Sequence, residues 1–347
     1  MFREVLYTDI REDCLLIDVR SPGEYEEYTI PGAVNVPLFD DEERKIIGTV
    51  YKNDSVEEAK RLGVEMVSKR LPLLYEKITK LKQEHRNIAM FCERGGMRSS
   101  SVCALFDSLG ISITKLKDGY KGYRAQIIEL LPKLNEEVSY IVIHGFTGTG
   151  KTEVLEKLEQ KGYDVLNLEG IANHRGSQLG KVGLERIVSQ KSFESKIFEM
   201  LRKRKSDVIF IEAESDRIGN IIVPKFIINK MREGRHLLLQ SNIELRARRI
   251  IEEYMKNEDC DEQLMEGIAK LEKYIGRSRV QELNEKVRKK EYFDVAVELM
   301  NKYYDPLYYS SQVRYSYDIV VNSDDVNKAC EEIEKWYKCM EGYQQQC

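Results

Sequence analysis

The chain has 347 residues, of which 42% are hydrophobic and 33% are charged, with a formal net charge of −4. The length exceeds that of a typical single domain, and the composition is that of a globular protein with apolar residues enough for two cores. The negative net charge excludes a strong overall positive field, so any nucleic-acid surface must be a local basic face.

The seven cysteines are scattered and form no CxxC pair, and the four histidines add no zinc-like spacing. Such a pattern argues against a disulfide framework and favours a reducing compartment. The first residues are too charged for a signal peptide, and no apolar run is long enough to span a bilayer. We therefore expect a soluble, cytoplasmic protein that does not associate with a membrane.

Short apolar runs alternate with helical patterns in the first part of the chain. Strands are predicted at 15–19, 34–36, 88–92 and 113–116, and helices at about 56–83, 99–109 and 121–131. Strands that alternate with helices are typical of a parallel α/β sheet, so we predict an α/β domain over residues 1–132. The boundary is placed near 132–137, where a proline and polar residues precede a new strand at 140–144.

A cysteine stands at the carboxyl end of the strand predicted at 88–92. Cys92 precedes Arg98 with the spacing C-x5-R, and a helix is predicted from about Ser99. Backbone amides in the glycine-containing loop, the helix N-terminus and the arginine fork can together bind a tetrahedral oxyanion. The same positive field favours a thiolate, so Cys92 and Arg98 are the predicted catalytic residues. The anion loop between them comprises Glu93, Arg94, Gly95, Gly96 and Met97.

The alternative for Cys92 is a structural cysteine, because cysteine is among the most buried residue types. Its position between a strand and an arginine-containing loop favours the reactive role. Cys14 and Cys103 lack such surroundings, and we expect them in the core.

A phosphate-binding motif follows the strand predicted at 140–144. Residues 145–152 read G-x-x-x-x-G-K-T and open an amphipathic helix, which is the context that a P-loop requires. The lysine is expected to bridge phosphate oxygens, and the last threonine to hold Mg²⁺ if that ion binds. The predicted phosphate-binding residues are Gly145, Gly148, Thr149, Gly150, Lys151 and Thr152. The motif does not distinguish a nucleotide from another diphosphate.

The remainder of the chain, from 136 to 347, is predicted to be a P-loop NTPase-like α/β domain with a charged helical insertion at about 243–312. Further strands are predicted at 164–168, 207–212, 236–240 and 317–321, and a final helix at about 324–341. Polar residues at or shortly after the ends of two of these strands are possible substrate-binding or transfer residues: His174, Arg175, Glu212, Glu214 and Arg217. For each of them a structural or solvated role is the alternative, and no metal ligand is certain.

Basic clusters occur at 202–205, 225–235, 246–249 and 277–290. Aromatic residues lie near the last two clusters: Tyr254, Tyr274, Tyr292, Phe293, Tyr303 and Tyr304. Such residues suit phosphate contacts and base stacking, but charged helices more often only solvate a surface.

The string LIDVRSPGEYEEYTIPGAVNVP at 16–37 and the Cys92 loop resemble the rhodanese family over roughly the first 125 residues. That resemblance implies a rhodanese-like domain that carries sulfur on Cys92. The C-x5-R loop is one residue longer than in sulfurtransferase-type rhodaneses and is similar to phosphatase-type members. A larger loop suits phosphate, arsenate or selenophosphate, and the spacing does not choose among them.

Five strings in order resemble the tRNA 2-selenouridine synthase family over the whole chain: FCERGGMRSS, GFTGTGKT, LEGIANHRGSQLG, IEAESDRIGN and YYDPLY. The resemblance implies that 2-thiouridine in a tRNA anticodon loop is geranylated by geranyl diphosphate, and that selenium from selenophosphate then replaces the geranylthio group. Cys92 would hold or deliver selenium, as a selenopersulfide for example, and residues 145–152 would bind the diphosphate. It implies no tightly bound cofactor, Mg²⁺ as an optional ion, and a selenophosphate-supplying enzyme as a possible partner.

Two other classes of function stay open on the residues alone. One is a rhodanese-fold sulfurtransferase or CX5R phosphatase with a regulatory P-loop domain, for which Glu93 or Asp118 would have to act as the general acid. The other is a non-catalytic binding module beside a P-loop ATPase, which the presence of both Cys92 and Arg98 disfavours.

Overall fold

The computed structural model describes residues 2–175, 188–255, 260–312 and 314–344. The chain forms two compact units, Met1–Pro132 with Ser189–Glu199, and Lys133–Val188 with Met200–Cys347. Each unit contains a five-stranded sheet whose paired strands are all parallel. The predicted α/β class is therefore confirmed.

The strands of the first unit are Glu4–Val5 (β1), Cys14–Asp18 (β2), Val34–Asn35 (β3), Asn87–Phe91 (β4) and Thr114–Leu116 (β5), in the sheet order β1-β5-β4-β2-β3. A 3₁₀ turn spans Tyr7–Asp9, and the helices are Pro22–Glu27 (α1), Asp41–Asn53 (α2), Val56–Glu84 (α3), Met97–Ser108 (α4) and Gly119–Glu136 (α5). The central strand β4 is apolar and buried from Ile88 to Phe91, because both faces of a parallel sheet are covered. The loop after β4 therefore leaves the carboxyl edge of a rigid, buried strand.

The strands of the second unit are Ser139–His144 (β6), Val165–Leu166 (β7), Val208–Glu212 (β8), Arg217–Ile218 (β9), Ile221–Ile222 (β10), Arg235–Gln240 (β11) and Ile319–Asn322 (β12). The parallel sheet has the order β12-β11-β6-β8-β7, and β9 and β10 form an antiparallel pair. Because β6 lies at the centre, the loop after it opens at the middle of the carboxyl edge, where open α/β sheets bind ligands.

The helices from Lys151 onward are Lys151–Gln160 (α6), Leu168–Ala172 (α7), Gln190–Arg202 (α8), Lys225–Glu233 (α9), Ile243–Tyr254 (α10), Cys260–Ala269 (α11), Glu272–Ile275 (α12), Arg277–Arg288 (α13), Tyr292–Leu299 (α14), Asp305–Gln312 (α15) and Val326–Gln344 (α16). A π-helical turn, Met300–Tyr304, joins α14 to α15. The described chain between β11 and β12 is thus helical from α10 to α15, with its own hydrophobic cluster.

The predicted end of the helix near Pro132 is wrong, because α5 continues to Glu136. A proline inside a helix removes one backbone hydrogen bond. Contacts of the last turn offset that loss: Asn135 is fully buried, accepts a 2.8 Å hydrogen bond from the Tyr140 hydroxyl and donates to the Phe226 carbonyl.

Residues 189–199, the first part of α8, pack in the first unit although they follow the P-loop strand in sequence. Phe193, Ile197 and Phe198 are almost completely buried. The Tyr7 hydroxyl donates a 2.5 Å hydrogen bond to Glu199. Within the described ranges, no helix is both long and apolar enough to cross a membrane.

Candidate functional site

Cys92 lies directly after β4, with 3% of its surface exposed. Its Sγ is 3.2 Å from the Ser99 hydroxyl, in the first turn of α4. A hydroxyl at that distance can donate to a thiolate, and the N-terminal end of α4 adds its positive partial charge. Ser99 was predicted only as a helix start, and its contact with Cys92 is a new feature of the site.

The Cys92 loop packs against the turn that follows β5. Gly95 has φ +58°, and a Cβ there would come within 3.0 Å of the Asp118 and Gly119 amide nitrogens. Lys115 donates a 2.7 Å hydrogen bond from Nζ to the Gly95 carbonyl, and the Tyr120 amide donates to the Cys92 carbonyl. The loop is therefore fixed by tertiary contacts, and glycine is required where it touches the turn.

Arg98 is paired with a carboxylate from α1. Its guanidinium donates to the two Glu24 oxygens at 2.5 and 3.2 Å. Burial raises the pKa of Glu24, but the hydrogen bond and charge of Arg98 outweigh it and lower that pKa to about 2. Glu24 was visible in the sequence only as part of the rhodanese-like string, so its pairing with Arg98 was not predicted.

A second buried arginine holds Glu93. Arg20 is fully buried and donates hydrogen bonds to Asp18 at 2.7 Å and to Glu93 at 2.9 Å. Its guanidinium carbon lies 4.9 Å from the ring centroid of Tyr28 and 4.8 Å from that of Tyr120. The ion pair with Arg20 therefore fixes Glu93, the first residue after Cys92, in place.

The exposed residues of the Cys92 loop are Arg94, Gly96 and Met97, the last with 52% of its surface exposed. Cys103, by contrast, is completely buried, and burial raises the pKa of its thiol to about 12. Cys103 is thus a core residue, as the sequence predicted, and Cys14 is half-buried with a pKa that burial also raises.

The P-loop lies between β6 and α6. Gly148 has φ +78°, and a Cβ there would come within 2.7 Å of the Arg246 carbonyl oxygen, so the position requires glycine. The Lys151 Nζ donates to the Gly145 carbonyl at 3.1 Å. Ser323, which follows β12, donates a 2.7 Å hydrogen bond to the Thr149 carbonyl. The loop is thereby held at the centre of the sheet edge, while Thr152 is exposed on the first turn of α6.

Two arginines of the basic cluster at 246–249 point toward the P-loop. Arg246 is 4% exposed, forms a two-pronged ion pair with Asp305 at 2.6 and 2.9 Å, and donates to the Thr147 carbonyl. Arg249 donates to the carbonyls of Ser323 and Gly148. Arg246 therefore does not belong to a solvent-facing phosphate surface, because its donors are satisfied inside the protein. Arg249 is half-buried and holds the P-loop to the turn after β12.

Glu212, at the end of β8, is almost completely buried and accepts a 2.7 Å hydrogen bond from the Glu169 amide. Burial and the Glu169 charge raise the pKa of Glu212 to about 8, against the effect of Lys151. Burial and Glu169 likewise raise the pKa of Glu214 well above its usual value. Burial therefore favours the protonated form of both carboxyl groups, and neither is a simply solvated strand-end residue.

The other possible transfer residues are divided. Arg175 donates to Glu253 at 2.7 Å and lies over the Tyr254 ring at 4.7 Å, which ties it to the end of α10. The His174 ring packs against Gly219. Arg217 is exposed in β9. Arg175 therefore lies near the P-loop, where it lines the same cleft as Lys151. Arg217 does not line that cleft.

A polar cleft opens above the P-loop, with about 1040 Å³ of space counted out to its open side. Its basic side chains are Lys151, Arg175 and Arg249. Its carboxylates are Glu153, Glu156, Glu169, Glu252 and Glu253. Among the described residues, no three or more His, Cys, Asp or Glu side chains are grouped so that they could hold a metal ion by themselves.

The aromatic residues of the helical segment are mostly internal. Tyr254, Tyr303 and Tyr304 are buried in its hydrophobic cluster, and Tyr292 packs against that cluster. Tyr274 and Phe293 are 53% and 39% exposed. The prediction that these rings stack bases is therefore wrong for the buried tyrosines, because they form the core of the segment.

Comparison with known proteins divides the chain into two family domains. Residues 3–126 match the rhodanese-like domain family, and residues 138–340 match the family described as the tRNA 2-selenouridine synthase AAA domain. A tRNA 2-selenouridine synthase of Pseudomonas putida strain F1 is 32% identical over 338 residues, which cover 87% of this chain and 90% of that protein.

More distant relatives carry the same name. A tRNA 2-selenouridine synthase of Sulfurovum sp. strain NBC37-1 is 30% identical over 325 residues, covering 84% of this chain and 87% of that protein. A solved structure has a different description, the N-terminal domain of an ATP/GTP binding protein from Clostridium difficile 630. It is 37% identical and covers 37% of this chain and 99% of its own length, with a TM-score of 0.35.

Proposed function

This chain belongs to the tRNA 2-selenouridine synthase family, and we propose that it converts 2-thiouridine at the tRNA wobble position into 2-selenouridine in two steps. The observation that carries the proposal is the presence of two separate anion-binding loops, the Cys92 loop and the P-loop, each at the carboxyl edge of its own parallel sheet. Two anionic donors, geranyl diphosphate and selenophosphate, call for two such sites.

In the first step, the 2-thio sulfur attacks C1 of geranyl diphosphate. A C–S bond forms, the C1–O bond breaks, diphosphate leaves, and loss of the N3 proton keeps the base neutral. The position of Lys151 in the polar cleft supports diphosphate departure there, because a lysine beside P-loop amides stabilises charge that develops on the leaving group.

Mg²⁺ fits this cleft as a companion of the diphosphate. The cleft carries five carboxylates, which would repel a bare polyanion. Thr152 would contribute its hydroxyl to the ion, as P-loop threonines do. When bound, the ion would supply positive charge to the leaving diphosphate.

In the second step, Cys92 acts on selenophosphate. The thiolate attacks phosphorus, the S–P bond forms, the P–Se bond breaks, and HSe⁻ leaves. HSe⁻ adds to C2 of the geranylated base, which expels the geranylthio group as geranylthiol. Water then cleaves the S–P bond to give phosphate and free Cys92. Ser99 supports this route because its hydroxyl, 3.2 Å from Sγ, stabilises the thiolate when it departs.

Attack on phosphorus is preferred to a selenopersulfide on Cys92. Forming a selenopersulfide from a thiol and selenophosphate removes two electrons from selenium, so it needs an oxidant or leaves phosphorus as phosphite. The phosphatase-like C-x5-R spacing fits the redox-neutral route, since that loop surrounds a tetrahedral phosphorus.

The phosphatase alternative is weakened by the same loop. A phosphatase needs a free general acid near Cys92, whereas Glu93 is anchored by Arg20. Asp118 lies in a left-handed turn, with φ +57°. A sulfurtransferase with a regulatory P-loop domain would not need the buried carboxyls of Glu212 and Glu214 near Lys151.

The test is nucleoside mass spectrometry on 2-thiouridine tRNA incubated with both donors. Cys92→Ser is expected to lower 2-selenouridine on the order of 1,000-fold or more and to accumulate the geranylthio base, because the nucleophile is lost. Lys151→Ala is expected to slow geranylation on the order of 100-fold, because a charge on the leaving group is lost. Phosphate, and not phosphite, should accompany selenium transfer.

Matched controls separate these roles from folding. Cys339→Ser removes an exposed cysteine, and Lys157→Ala removes a lysine from the same helix as Lys151; both should behave as the unmodified chain. Loss of both steps in folded Cys92→Ser would show that the division of labour is wrong. An unmodified chain that leaves 2-thiouridine intact would contradict the proposed function as a whole.

A further inference from the structure

A second cleft, which is apolar, adjoins the polar cleft in the second unit. It is open on one side, and about 520 Å³ of empty space lies between its walls when the part that is open to solvent is included. Its lining comes from the P-loop and from the helical segment: Thr147, Ile250, Ile251, Tyr254, Met255, Leu264, Tyr292, Val295, Ala296, Leu299, Met300 and Tyr304. Nearly all of these side chains are aliphatic or aromatic.

The two clefts share three residues. Thr147, Ile250 and Tyr254 line both, so the apolar cleft begins where the P-loop cleft ends. We propose that the apolar cleft binds the hydrocarbon tail of a prenyl diphosphate whose diphosphate head lies on the P-loop. This proposal rests on the proposed function for the identity of the ligand, and it names the part of the protein that selects the prenyl chain.

The shape of the ligand matches the order of the surfaces. A prenyl diphosphate has a strongly anionic head joined through one carbon to a fully apolar tail. The head would meet Lys151 and the P-loop amides, while the tail would pass Thr147 into the space between α10 and α14. C1, the carbon that is attacked, would then lie at the junction of the two clefts, where the 2-thio sulfur must reach it.

The walls suit a flexible chain. Met255 and Met300 are unbranched and adaptable, and they can follow the shape of an isoprenoid tail. The π-helical turn Met300–Tyr304 turns Tyr304 into the apolar cleft, and the helix after it presents Tyr308 to the polar cleft. Such turns are frequent at functional sites. One short stretch of backbone thereby serves both parts of the ligand.

Arg246 fixes the relation between the two clefts. It joins the Thr147 carbonyl of the P-loop to Asp305 at the start of α15. The head site and the wall of the tail site are therefore held at a set distance, which is what selection by chain length requires.

The test compares two ligands that share a head. The full chain is titrated, with Mg²⁺ present, with inorganic pyrophosphate and with geranyl thiolodiphosphate, in which sulfur replaces the ester oxygen. Each buried methylene contributes a factor of about four in affinity. Burial of only three or four carbons of the tail should therefore make the geranyl ligand bind on the order of 100-fold more tightly than pyrophosphate. Equal affinity for the two ligands would overturn the proposal.

Variants locate the tail. Ala296→Phe fills the apolar cleft and should bring the geranyl ligand down to the affinity of pyrophosphate, with pyrophosphate binding unchanged. Ala269→Phe, the same change at an exposed position of α11, should leave both affinities as they were. Leu299→Ala enlarges the cleft and should shift preference toward the farnesyl analogue, which decides the matter if Ala296→Phe does not fold.

The outcomes separate this proposal from the proposed function. Tail-dependent binding that Ala296→Phe abolishes, without any geranylation of tRNA, would leave the cleft assignment in place and remove the reaction. Geranylation of tRNA with the tail preference untouched by both Ala296→Phe and Leu299→Ala would keep the reaction and remove the cleft assignment.

Discussion

Glu24 illustrates how a single residue sets the charge of the Cys92 loop. Its carboxylate accepts two hydrogen bonds from Arg98, so the loop arginine is held at the α1 side in the absence of an anion. An incoming phosphoryl group must therefore compete with the Glu24 carboxylate for the guanidinium of Arg98. Specificity for a doubly or triply charged donor follows, because a weak anion would not displace Glu24.

The pair makes stability depend on acid pH. The pKa of Glu24 is lowered to about 2 in the folded chain, from 4.5, so its contribution is present above about 4.5 and is lost as the pH falls through about 2. Glu24→Gln should destabilise the chain by roughly 1.5–3 kcal/mol at neutral pH, and the difference should shrink below pH 4.5. Urea unfolding from pH 7 to pH 2 measures it.

The control for this prediction is Glu58→Gln, which removes an exposed carboxylate paired with Arg61 on α3. Surface pairs contribute little, so this variant should unfold close to the unmodified chain at each pH. A Glu24→Gln deficit that stays constant between pH 7 and pH 2 would show that the pair does not depend on ionisation of Glu24.

Some residue roles were readable from the sequence and some were not. The C-x5-R and G-x-x-x-x-G-K-T spacings identify loops because their contacts are local. The partners of those loops come from far along the chain: Glu24 lies 74 residues before Arg98, and Asp305 lies 59 residues after Arg246. No spacing rule encodes such pairs, and a buried arginine looks the same in sequence as a solvated one.

Strand β8 places an ionisable side chain in a buried position at its carboxyl end. The strand has the sequence VIFIE and pairs with β6. Its last residue, Glu212, is buried like the apolar residues before it. A buried carboxyl keeps its proton more tightly than an exposed one. The edge of the sheet at the P-loop is therefore less negative near neutral pH than its sequence indicates.

Glu212→Gln should change the pH dependence of stability in the direction opposite to Glu24. With a folded pKa raised to about 8 from 4.5, the folded chain binds more protons than the unfolded chain between these values, so stability falls as pH rises through that range. Gln cannot ionise, so the variant should gain on the unmodified chain by a few kcal/mol by pH 9, since each pKa unit is worth about 1.4 kcal/mol. Unfolding without ligand, from pH 5 to pH 9, measures this.

Glu233→Gln, an exposed change at the end of α9, serves as its control and should show no such gain. If Glu212→Gln and the unmodified chain kept a constant difference from pH 5 to pH 9, Glu212 would titrate at an ordinary pKa and the burial argument would fail.

At the level of elements, the sequence predicted the central strands well because buried parallel strands are short apolar runs. β4 was expected at 88–92 and spans Asn87–Phe91, and β6 was expected at 140–144 and spans Ser139–His144. Helix ends were predicted less well. The proline at 132 signalled a stop, but the tertiary contacts of Asn135 carry α5 beyond it.

At the level of the whole molecule, the two proposed anion sites lie in two separate units, each with its own sheet. If the geranylated tRNA is released between steps, the sites need not belong to one polypeptide. A mixture of Cys92→Ser and Lys151→Ala proteins should then form 2-selenouridine from 2-thiouridine tRNA, although the former makes none alone and the latter makes it only slowly. Mass spectrometry of the mixture, sampled over time, measures the recovery.

Recovery should rise with protein concentration, because each encounter transfers a released intermediate. A mixture that is no more active than Lys151→Ala alone, while the geranylthio base accumulates, would show that the intermediate is passed within one chain.

The sequence could not predict which unit residues 189–199 join. Their helical pattern, with Phe193 and Ile197 on one face, is compatible with packing on either sheet. The choice depends on partners such as Tyr7 and Tyr123, whose rings lie 6.4 Å from Phe198. Contiguity along the chain, which sequence analysis assumes, is broken here by a tertiary contact.

That segment has a consequence for how the chain is made on the ribosome. The first unit is complete in sequence at Pro132 except for Ser189–Glu199. At typical synthesis rates, the 67 residues from 132 to 199 take roughly 3 to 13 s to add. During that interval Tyr7 and Tyr123 lack the aromatic cover that Phe198 provides, so the nascent first unit presents an apolar surface to chaperones until α8 emerges.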